Sequence, residues 1–245
     1  MVYDPARCNV PKGASMVRFA LRSLLIAAFA LSLAVVGAFA QDTRQNEPGK
    51  FDFYVLALSW SPSFCEAAGD RAQGQPECGA RPYSFVVHGL WPQYEKGFPE
   101  YCQVPAPRLD RGVVASVLDI MPAPRLIFRE WDRHGTCSGL PARAYFETMR
   151  KARAVVKIPA AYMDLKAPLT VTPAEVEEAF IKANPGLGAR SMAVGCDKER
   201  LREVRICMTK ELAFRSCEAV ERRTCRREKI VMPPMRAGKP AREDG

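Results

Sequence analysis

Two apolar stretches early in the chain and two alternating stretches late in it predict the strands of a β-sheet. Residues 51–58 and 84–87 are mostly apolar and aromatic, which fits central strands of a sheet. In residues 191–194 and 203–209, apolar and polar side chains alternate enough to predict two strands of a hairpin, which turns at the polar segment between them. His88 follows the second apolar stretch directly, so we expect it at a strand end.

Helical periodicity lies between these predicted strands. Residues 109–121 and 142–157 carry apolar side chains three and four positions apart, which is typical of amphipathic helices. The segment 172–175, Thr-Pro-Ala-Glu, supplies an N-cap, a proline at the first helical position and a capping-box glutamate for a helix that stops near Asn184. Because helices and strands mix without a regular βαβ rhythm, the sequence predicts an α+β fold.

The N-terminal 40 residues have the pattern of a secretory signal peptide. Arg18 and Arg22 precede an apolar segment over residues 24–36, and Ala38 and Ala40 form a small-x-small cleavage site. We expect cleavage after Ala40, and an uncleaved N-terminal anchor is the alternative.

The remaining chain is expected to form one domain over residues 41–235, because that length can bury most of its apolar surface in a single core. Residues 236–245 are polar and are expected to be a disordered tail. Residues 1–15 form an unusual extension before Met16, and translation from Met16 would explain it better than translation from Met1.

Charge and cysteine content agree with an exported, disulfide-bonded protein. The first 40 residues hold four Lys or Arg and one Asp, a net of three positive charges, so their removal lowers the net charge from +9 to +6. A basic surface suits a polyanionic ligand but is weak evidence for one. Eight cysteines then remain, an even number typical of disulfides, yet they allow on the order of a hundred pairings, so spacing alone leaves the connectivity open.

Only two histidines occur in the chain, and each lies in a segment dense with catalytic residue types. His88 lies in residues 85–93, which read FVVHGLWPQ, and His134 lies in residues 129–137, which read REWDRHGTC. Histidine changes charge near neutral pH, so two of them suit a reaction that removes one proton and delivers another.

The two segments, in this order, resemble the active-site segments of the ribonuclease T2 family. Residues 53–62, which read FYVLALSWSP, resemble the first core strand of that family, and the resemblance extends over roughly residues 51–232. It implies a central antiparallel sheet flanked by helices and stapled by disulfides. It also implies an endoribonuclease with low base specificity that cleaves single-stranded RNA through 2′,3′-cyclic phosphate products.

The resemblance implies a role for each site residue. His134 would be the general base and His88 the general acid, while Glu130 and Arg133 would stabilise the phosphorane transition state. Trp91 would stack on a base, although a tryptophan packed under its loop is nearly as good an interpretation. Ordinary ion pairing on a helix surface is the alternative role for Glu130.

Arg129 departs from the family pattern, because many members carry a third histidine there. Arginine stays charged and donates two hydrogen bonds to phosphate, so we expect Arg129 to bind substrate. The whole segment is predicted to be a helix that ends at Gly135. On such a helix Glu130 lies four residues before His134, so we expect this carboxylate beside the His134 ring.

The same resemblance implies the disulfide pairing, with Cys207–Cys217 nested inside Cys196–Cys225. The other two implied bridges are Cys65–Cys78 and Cys102–Cys137.

We expect no metal and no other cofactor. Two histidines are too few for most catalytic metal sites, and oxidised cysteines cannot bind a metal ion. The expected partner is RNA, bound by a monomeric protein that is periplasmic or secreted and has no stable membrane association after signal cleavage. Two alternatives are a catalytically silent RNA- or protein-binding member of the same fold, and a basic extracytoplasmic structural or inhibitor protein.

Overall fold

A computed structural model describes residues 46–72, 74–79 and 81–235 of the chain. The expected signal peptide and C-terminal tail lie outside these residues. Within them, no helix is long and apolar enough to cross a membrane.

A four-stranded antiparallel sheet forms the centre of the fold. Its strands are β1 (Phe53–Trp60), β2 (Phe85–Gln93), β4 (Met192–Cys196) and β5 (Leu201–Met208), in the order β2-β1-β5-β4. Two short strands, β3 (Leu169–Val171) and β6 (Ile230–Met232), pair separately in antiparallel fashion. These strands confirm the predicted buried stretches and the predicted hairpin.

Strand β1 is buried on both faces, which explains why apolar residues occupy seven of its eight positions. Leu56, Leu58 and Trp60 face the main core, while Phe53 and Val55 face a smaller cluster on the opposite side. A central strand that is covered on both faces gains from apolar residues at every position rather than at alternate ones.

Six α-helices accompany the sheet in the described part of the chain, and they confirm the α+β class. They are α1 (Ser61–Ala68), α2 (Arg111–Ala115), α3 (Pro124–Arg133), α4 (Ala142–Val155), α5 (Pro173–Ala183) and α6 (Glu218–Glu221). Helix α4 buries Tyr145, Phe146 and Met149 in the main core. Helix α5 begins with the predicted capping box, in which the backbone N–H of Glu175 donates to Thr172 Oγ1 over 3.1 Å and that of Thr172 donates to Glu175 Oε2 over 2.6 Å.

The predicted helix over residues 109–121 is wrong beyond its first turns. Asp110 caps α2 by accepting a hydrogen bond from the Val113 backbone over 2.8 Å, but the helix ends at Ala115. The chain then turns, and the Ile120 carbonyl accepts a hydrogen bond from the backbone N–H of Val87 in β2 over 2.8 Å. A continued helix could not make this tertiary contact, so the sheet outweighs the local helical pattern.

Four disulfides staple the structure, and they are the four that the resemblance implies. Cys102–Cys137 joins the loop after β2 to the turn that follows α3, and Cys65–Cys78 closes the segment after α1. The two remaining bridges, Cys196–Cys225 and Cys207–Cys217, tie the C-terminal segment to strands β4 and β5.

Candidate active site

His88 lies in the middle of β2 and not at its end, so the sequence expectation is wrong at this point. The strand continues to Gln93 because residues 89–93 go on pairing with β1. Gly89 lies opposite Ala57 and Val87 lies opposite Leu58, which leaves His88 as the extra residue of a β-bulge. A bulge redirects one side chain out of the regular alternation.

The His88 ring contacts a carboxylate on each side. Its Nδ1 lies 3.0 Å from Oε2 of Glu203, and its Nε2 lies 3.7 Å from Oε1 of Glu130. The ring of Trp91 packs edge-on against it, with 5.3 Å between the centroids.

His134 lies one residue beyond the end of α3. Its φ and ψ of −119° and −43° leave the regular helix, which therefore ends at Arg133 and not at the predicted Gly135. Gly135 packs so tightly against the rings of Trp131 and Tyr145 that a side chain there would overlap both. This packing holds the turn that carries His134.

The expected contact between Glu130 and His134 is wrong. Glu130 is only 3% exposed and accepts a hydrogen bond from Trp91 Nε1 over 2.7 Å, so its carboxylate faces Trp91 and His88. His134 is 7% exposed, and its Nδ1 has no hydrogen-bond partner in the described part of the protein. The helix ends before His134, so the side-chain geometry of residues four apart does not extend to this pair.

Trp91 lies between the two histidines. Its ring centroid is 5.4 Å from that of His134, and Phe98 packs on the His134 ring at 6.1 Å. The guanidinium of Arg205 lies 5.7 Å from the Trp91 ring centroid, within range of a cation–π contact. Trp91 is therefore both a wall of the site and the donor that fixes Glu130.

The two histidines have pKa values shifted in opposite directions. Burial lowers the pKa of His134 to about 3, and the positive charges of Arg133, His88 and Arg129 act in the same direction. Burial also opposes the charge of His88, but the hydrogen bond to Glu203 and the negative charges of Glu130 and Glu203 outweigh it, so the pKa of His88 is raised. The site thus favours the neutral form of His134 and the protonated form of His88.

The pKa values of the two carboxylates beside His88, Glu130 and Glu203, are also shifted in opposite directions. Burial raises the pKa of Glu130, against the opposing effects of His88, the Trp91 hydrogen bond and the nearby arginines. Burial acts on Glu203 in the same sense, but its hydrogen bond to His88 and the charge of Arg205 prevail and lower its pKa. Glu203 is therefore the more firmly ionised partner of His88.

A cavity of about 410 Å³ opens over these groups and is rich in arginine. The side chain of Arg129 is 66% exposed, with its Nε 3.9 Å from Glu130 Oε1. Arg133 donates from Nε to Glu100 Oε2 over 2.8 Å. The cavity also takes in both histidines; its residues are Val55, His88, Trp91, Gln93, Phe98, Arg129, Glu130, Arg133, His134, Glu203, Arg205, Val220 and Arg223.

A second cavity of about 440 Å³ lies against the same His88 ring. It shares His88, Arg129 and Glu203 with the first and extends toward Phe64 and Arg125. His88 therefore lines both cavities.

All six of the predicted catalytic and substrate-binding residues line the first cavity, so the structure brings them together. Glu203 and Arg205 also line it and were missed by the sequence reasoning. Their spacing of two in a predicted strand indicates one shared face, but no local signal places that face beside His88. That proximity arises from strand order alone.

The fold that carries this arginine-lined cleft is the fold of solved ribonuclease structures. A ribonuclease-related protein from Calystegia sepium superposes with a TM-score of 0.61 at 20% identity, covering 76% of this chain and 98% of that one. RNase NT in complex with 5′-AMP superposes with a TM-score of 0.53 at 22% identity, covering 76% of this chain and all of that one. At such identities the likeness is one of fold.

Sequence comparison identifies the family. A model described as the Ribonuclease T2 family matches residues 51–217, and the chain belongs to this family of endoribonucleases. A ribonuclease of Aeromonas hydrophila is 33% identical over 177 residues, which are 68% of this chain and 76% of the relative. A probable ribonuclease of Haemophilus influenzae is 38% identical over 127 residues, and the match spans about half of either chain, 47% in each case.

Proposed function

We propose that the protein cleaves single-stranded RNA by acid/base transphosphorylation, with His134 as the base and His88 as the acid. The observation that carries this assignment is that both histidine rings lie in one arginine-lined cleft with Trp91 between them, and the opposite shifts of their pKa values support it. Environments that shift the pKa values of two neighbouring groups in opposite directions are typical of a general acid and a general base.

The reaction balances without a covalent enzyme intermediate. Neutral His134 takes the proton of the ribose 2′-hydroxyl, and O2′ attacks phosphorus. The bond from phosphorus to the 5′-oxygen breaks as protonated His88 gives its proton to that oxygen. The products are a 2′,3′-cyclic phosphate and a free 5′-hydroxyl, and hydrolysis to a 3′-phosphate follows with the two roles exchanged. Because RNA supplies its own nucleophile, we propose that no metal is needed.

Substrate binding itself makes His134 a better base. The low pKa of His134 depends on burial and on positive charge from Arg133 and Arg129. A bound phosphodiester brings a negative charge to these arginines, and a nearby negative charge favours the protonated imidazole. The ring is thus neutral before the reaction and accepts the proton more readily once RNA is bound.

The phosphorane would be stabilised by Glu130 and Arg133, with Arg129 contacting phosphate. Burial raises the pKa of Glu130. A carboxyl group with a raised pKa holds a proton more readily and can share it with a phosphate oxygen. Trp91 would offer its face to a base, which gives affinity with little sequence selectivity. We further propose that the protein acts as a monomer in the periplasm or outside the cell, where its four disulfides would persist.

A silent RNA- or protein-binding member of the fold is the second candidate. It is favoured by the hydrogen bond of Arg133 to Glu100, which holds this arginine on a carboxylate instead of leaving it free for phosphate. The presence of Arg129, where many family members carry a histidine, also favours this silent alternative.

Cleavage of a defined RNA in EDTA, with the product termini read by mass spectrometry, separates the candidates. Wild type, His88→Ala and His134→Ala are compared, and Glu218→Gln, a surface change on α6, is the matched control. We expect cyclic-phosphate ends from wild type and control only, because each proton transfer contributes roughly 100- to 10,000-fold. Intact RNA with folded wild type, together with measurable RNA binding, would establish the silent alternative.

A further inference from the structure

We propose that Glu203, held by Arg205, is a positioning residue that fixes the orientation and tautomer of the His88 ring. The inference rests on the proposed function, in which His88 delivers a proton from Nε2. It concerns two residues that touch neither the nucleophile nor the leaving oxygen and act only through His88.

Glu203 reaches His88 across an intervening strand. Its strand β5 pairs with β1, and β1 pairs in turn with β2, which carries His88. The β1 residues between them are Ala57 and Ser59, the smallest side chains of that strand, and Ser59 lies directly opposite Glu203. A larger residue at either position would fill the space through which the carboxylate passes.

The other side of Glu203 is bounded just as closely. Gly195 of β4 lies opposite Glu203, and a Cβ added there would come within 3.0 Å of its Cγ and 3.7 Å of its Oε1. The sheet therefore leaves room for one glutamate between a glycine on β4 and a serine on β1. Such a close fit restricts the rotamers that Glu203 can adopt.

The two carboxylate oxygens of Glu203 have separate partners. Oε1 accepts from Nε and Nη2 of Arg205 at 2.7 Å and 2.6 Å, while Oε2 lies 3.0 Å from Nδ1 of His88. Glu203 is 8% exposed, and a carboxylate so buried needs such hydrogen bonds to remain ionised. The arginine thus secures both the charge and the direction of the group that faces His88.

This arrangement keeps one proton on His88 throughout the reaction. An ionised Glu203 can only accept, so Nδ1 carries a hydrogen whether the ring is charged or neutral. Nε2, which lies on the Glu130 side in the cleft, is then the nitrogen that gives up and regains the catalytic proton. Orientation of a catalytic histidine by the partner of its other nitrogen is a general device.

The titration of His88 responds to every charged group around it. These groups are Glu203 and Arg205 from β5, Glu130 and Arg129 from α3, His134 after that helix, and Glu77 from the turn Pro76–Cys78. Among the residues that the structure describes, Glu203 alone hydrogen-bonds to Nδ1, so its replacement changes both the charge and the tautomer.

Histidine ¹⁵N NMR provides a direct test, since the chain contributes only two rings and His88→Ala assigns them. Wild type is compared with Glu203→Gln, Glu203→Ala and the surface control Glu218→Gln. We expect Glu203→Gln to lower the pKa of His88 by roughly one unit or more. Glu203→Ala should also free the neutral ring to place its hydrogen on Nε2, while the control should match wild type.

The pH profile of RNA cleavage gives the second measurement. The basic limb, on which His88 loses its proton, should move to lower pH in Glu203→Gln, with kcat falling roughly tenfold or more and KM changing little. Gly195→Ala crowds Glu203 without removing its charge, so it should shift the pKa of His88 and the pH profile of cleavage in the same direction as the Glu203 variants do. This variant replaces Glu203→Ala in the test if Glu203→Ala does not fold.

Either of two results would overturn the inference. One is an unchanged His88 tautomer and pKa in folded Glu203→Ala, and the other is an unchanged pH profile in Glu203→Gln. Failure of the proposed function is distinguishable, because wild type would then leave RNA intact, or His88→Ala would still cleave it, whatever the NMR spectra show.

Discussion

Protonation of His134 by acid should destabilise the fold by an amount that the structure sets. The ring is 7% exposed, its Nδ1 has no partner among the described residues, and burial with Arg133, His88 and Arg129 lowers its pKa to about 3. In the unfolded chain the ring titrates near the ordinary value of 6.5. The replacement His134→Gln removes the titration and keeps a polar, neutral side chain.

The sign and the size of the stability change follow from the difference between the pKa of His134 in the folded and in the unfolded chain. Because the folded pKa is depressed, the unfolded chain binds the proton first as the pH falls, so stability is lost below about pH 6.5 and the loss ends near pH 3. At about 1.4 kcal/mol per pKa unit, the loss is roughly 2 kcal/mol at pH 5 and roughly 3 kcal/mol at pH 4. The stability of His134→Gln should lack this component.

Urea unfolding of both proteins with the disulfides intact, at pH 7, pH 5 and pH 4, measures the effect. The carboxylates and His88 titrate in both proteins, so the difference between the two stability profiles isolates His134. Parallel loss of stability in the two proteins would contradict the reasoning. So would an NMR titration of the His134 ring near 6.5, and the assignment of His134 as a base that is neutral at rest would then lose its support.

Three further changes have defined outcomes. Gly89→Ala should lower the rate of RNA cleavage at least roughly tenfold, because the new Cβ would overlap Trp91 Nε1 and lie 2.5 Å from Glu130 Oε2. Arg129→His should keep substantial activity, because histidine, which many family members carry at this position, can also donate a hydrogen bond to phosphate. Replacing Cys102 and Cys137 by serine should lower the free energy of unfolding, measured in urea, by about 4 kcal/mol for the 35-residue separation.

Each of these changes has a contradicting result, and the glycine and disulfide changes also have a matched control. In the control Gly188→Ala, the new Cβ would lie 3.8 Å from a side-chain atom, an ordinary contact, so the rate of RNA cleavage should not change. Equal effects of the two glycine changes would contradict the first prediction. Complete loss of activity in Arg129→His would show a specific role for arginine. Removal of the 13-residue Cys65–Cys78 bridge should cost about 3 kcal/mol, and a larger cost than for Cys102–Cys137 would contradict the loop-length argument.

Local sequence patterns were sufficient wherever a structural feature depends on neighbouring residues. The capping box at Thr172 and Glu175 formed as predicted because both of its hydrogen bonds lie within one turn. The buried strand β1 was recognisable because both of its faces require apolar side chains. The histidine segments could be assigned to a site because motif order and residue chemistry are properties of the chain itself.

Tertiary contacts decided what the sequence left open or predicted wrongly. The helix over residues 109–121 ends early because Ile120 bonds to β2, and the bulge at His88 exists only through pairing with β1. Glu130 faces His88 because Trp91, 39 residues away, supplies its hydrogen bond.

The partner of His88 at Nδ1 is the clearest case. Glu203 lies 115 residues from His88 along the chain, and the two meet only because β1 separates their strands with small side chains. Residue types and their spacing specify which groups can transfer a proton. Strand order and burial, which depend on the whole core, determine which groups face one another and how far each pKa moves.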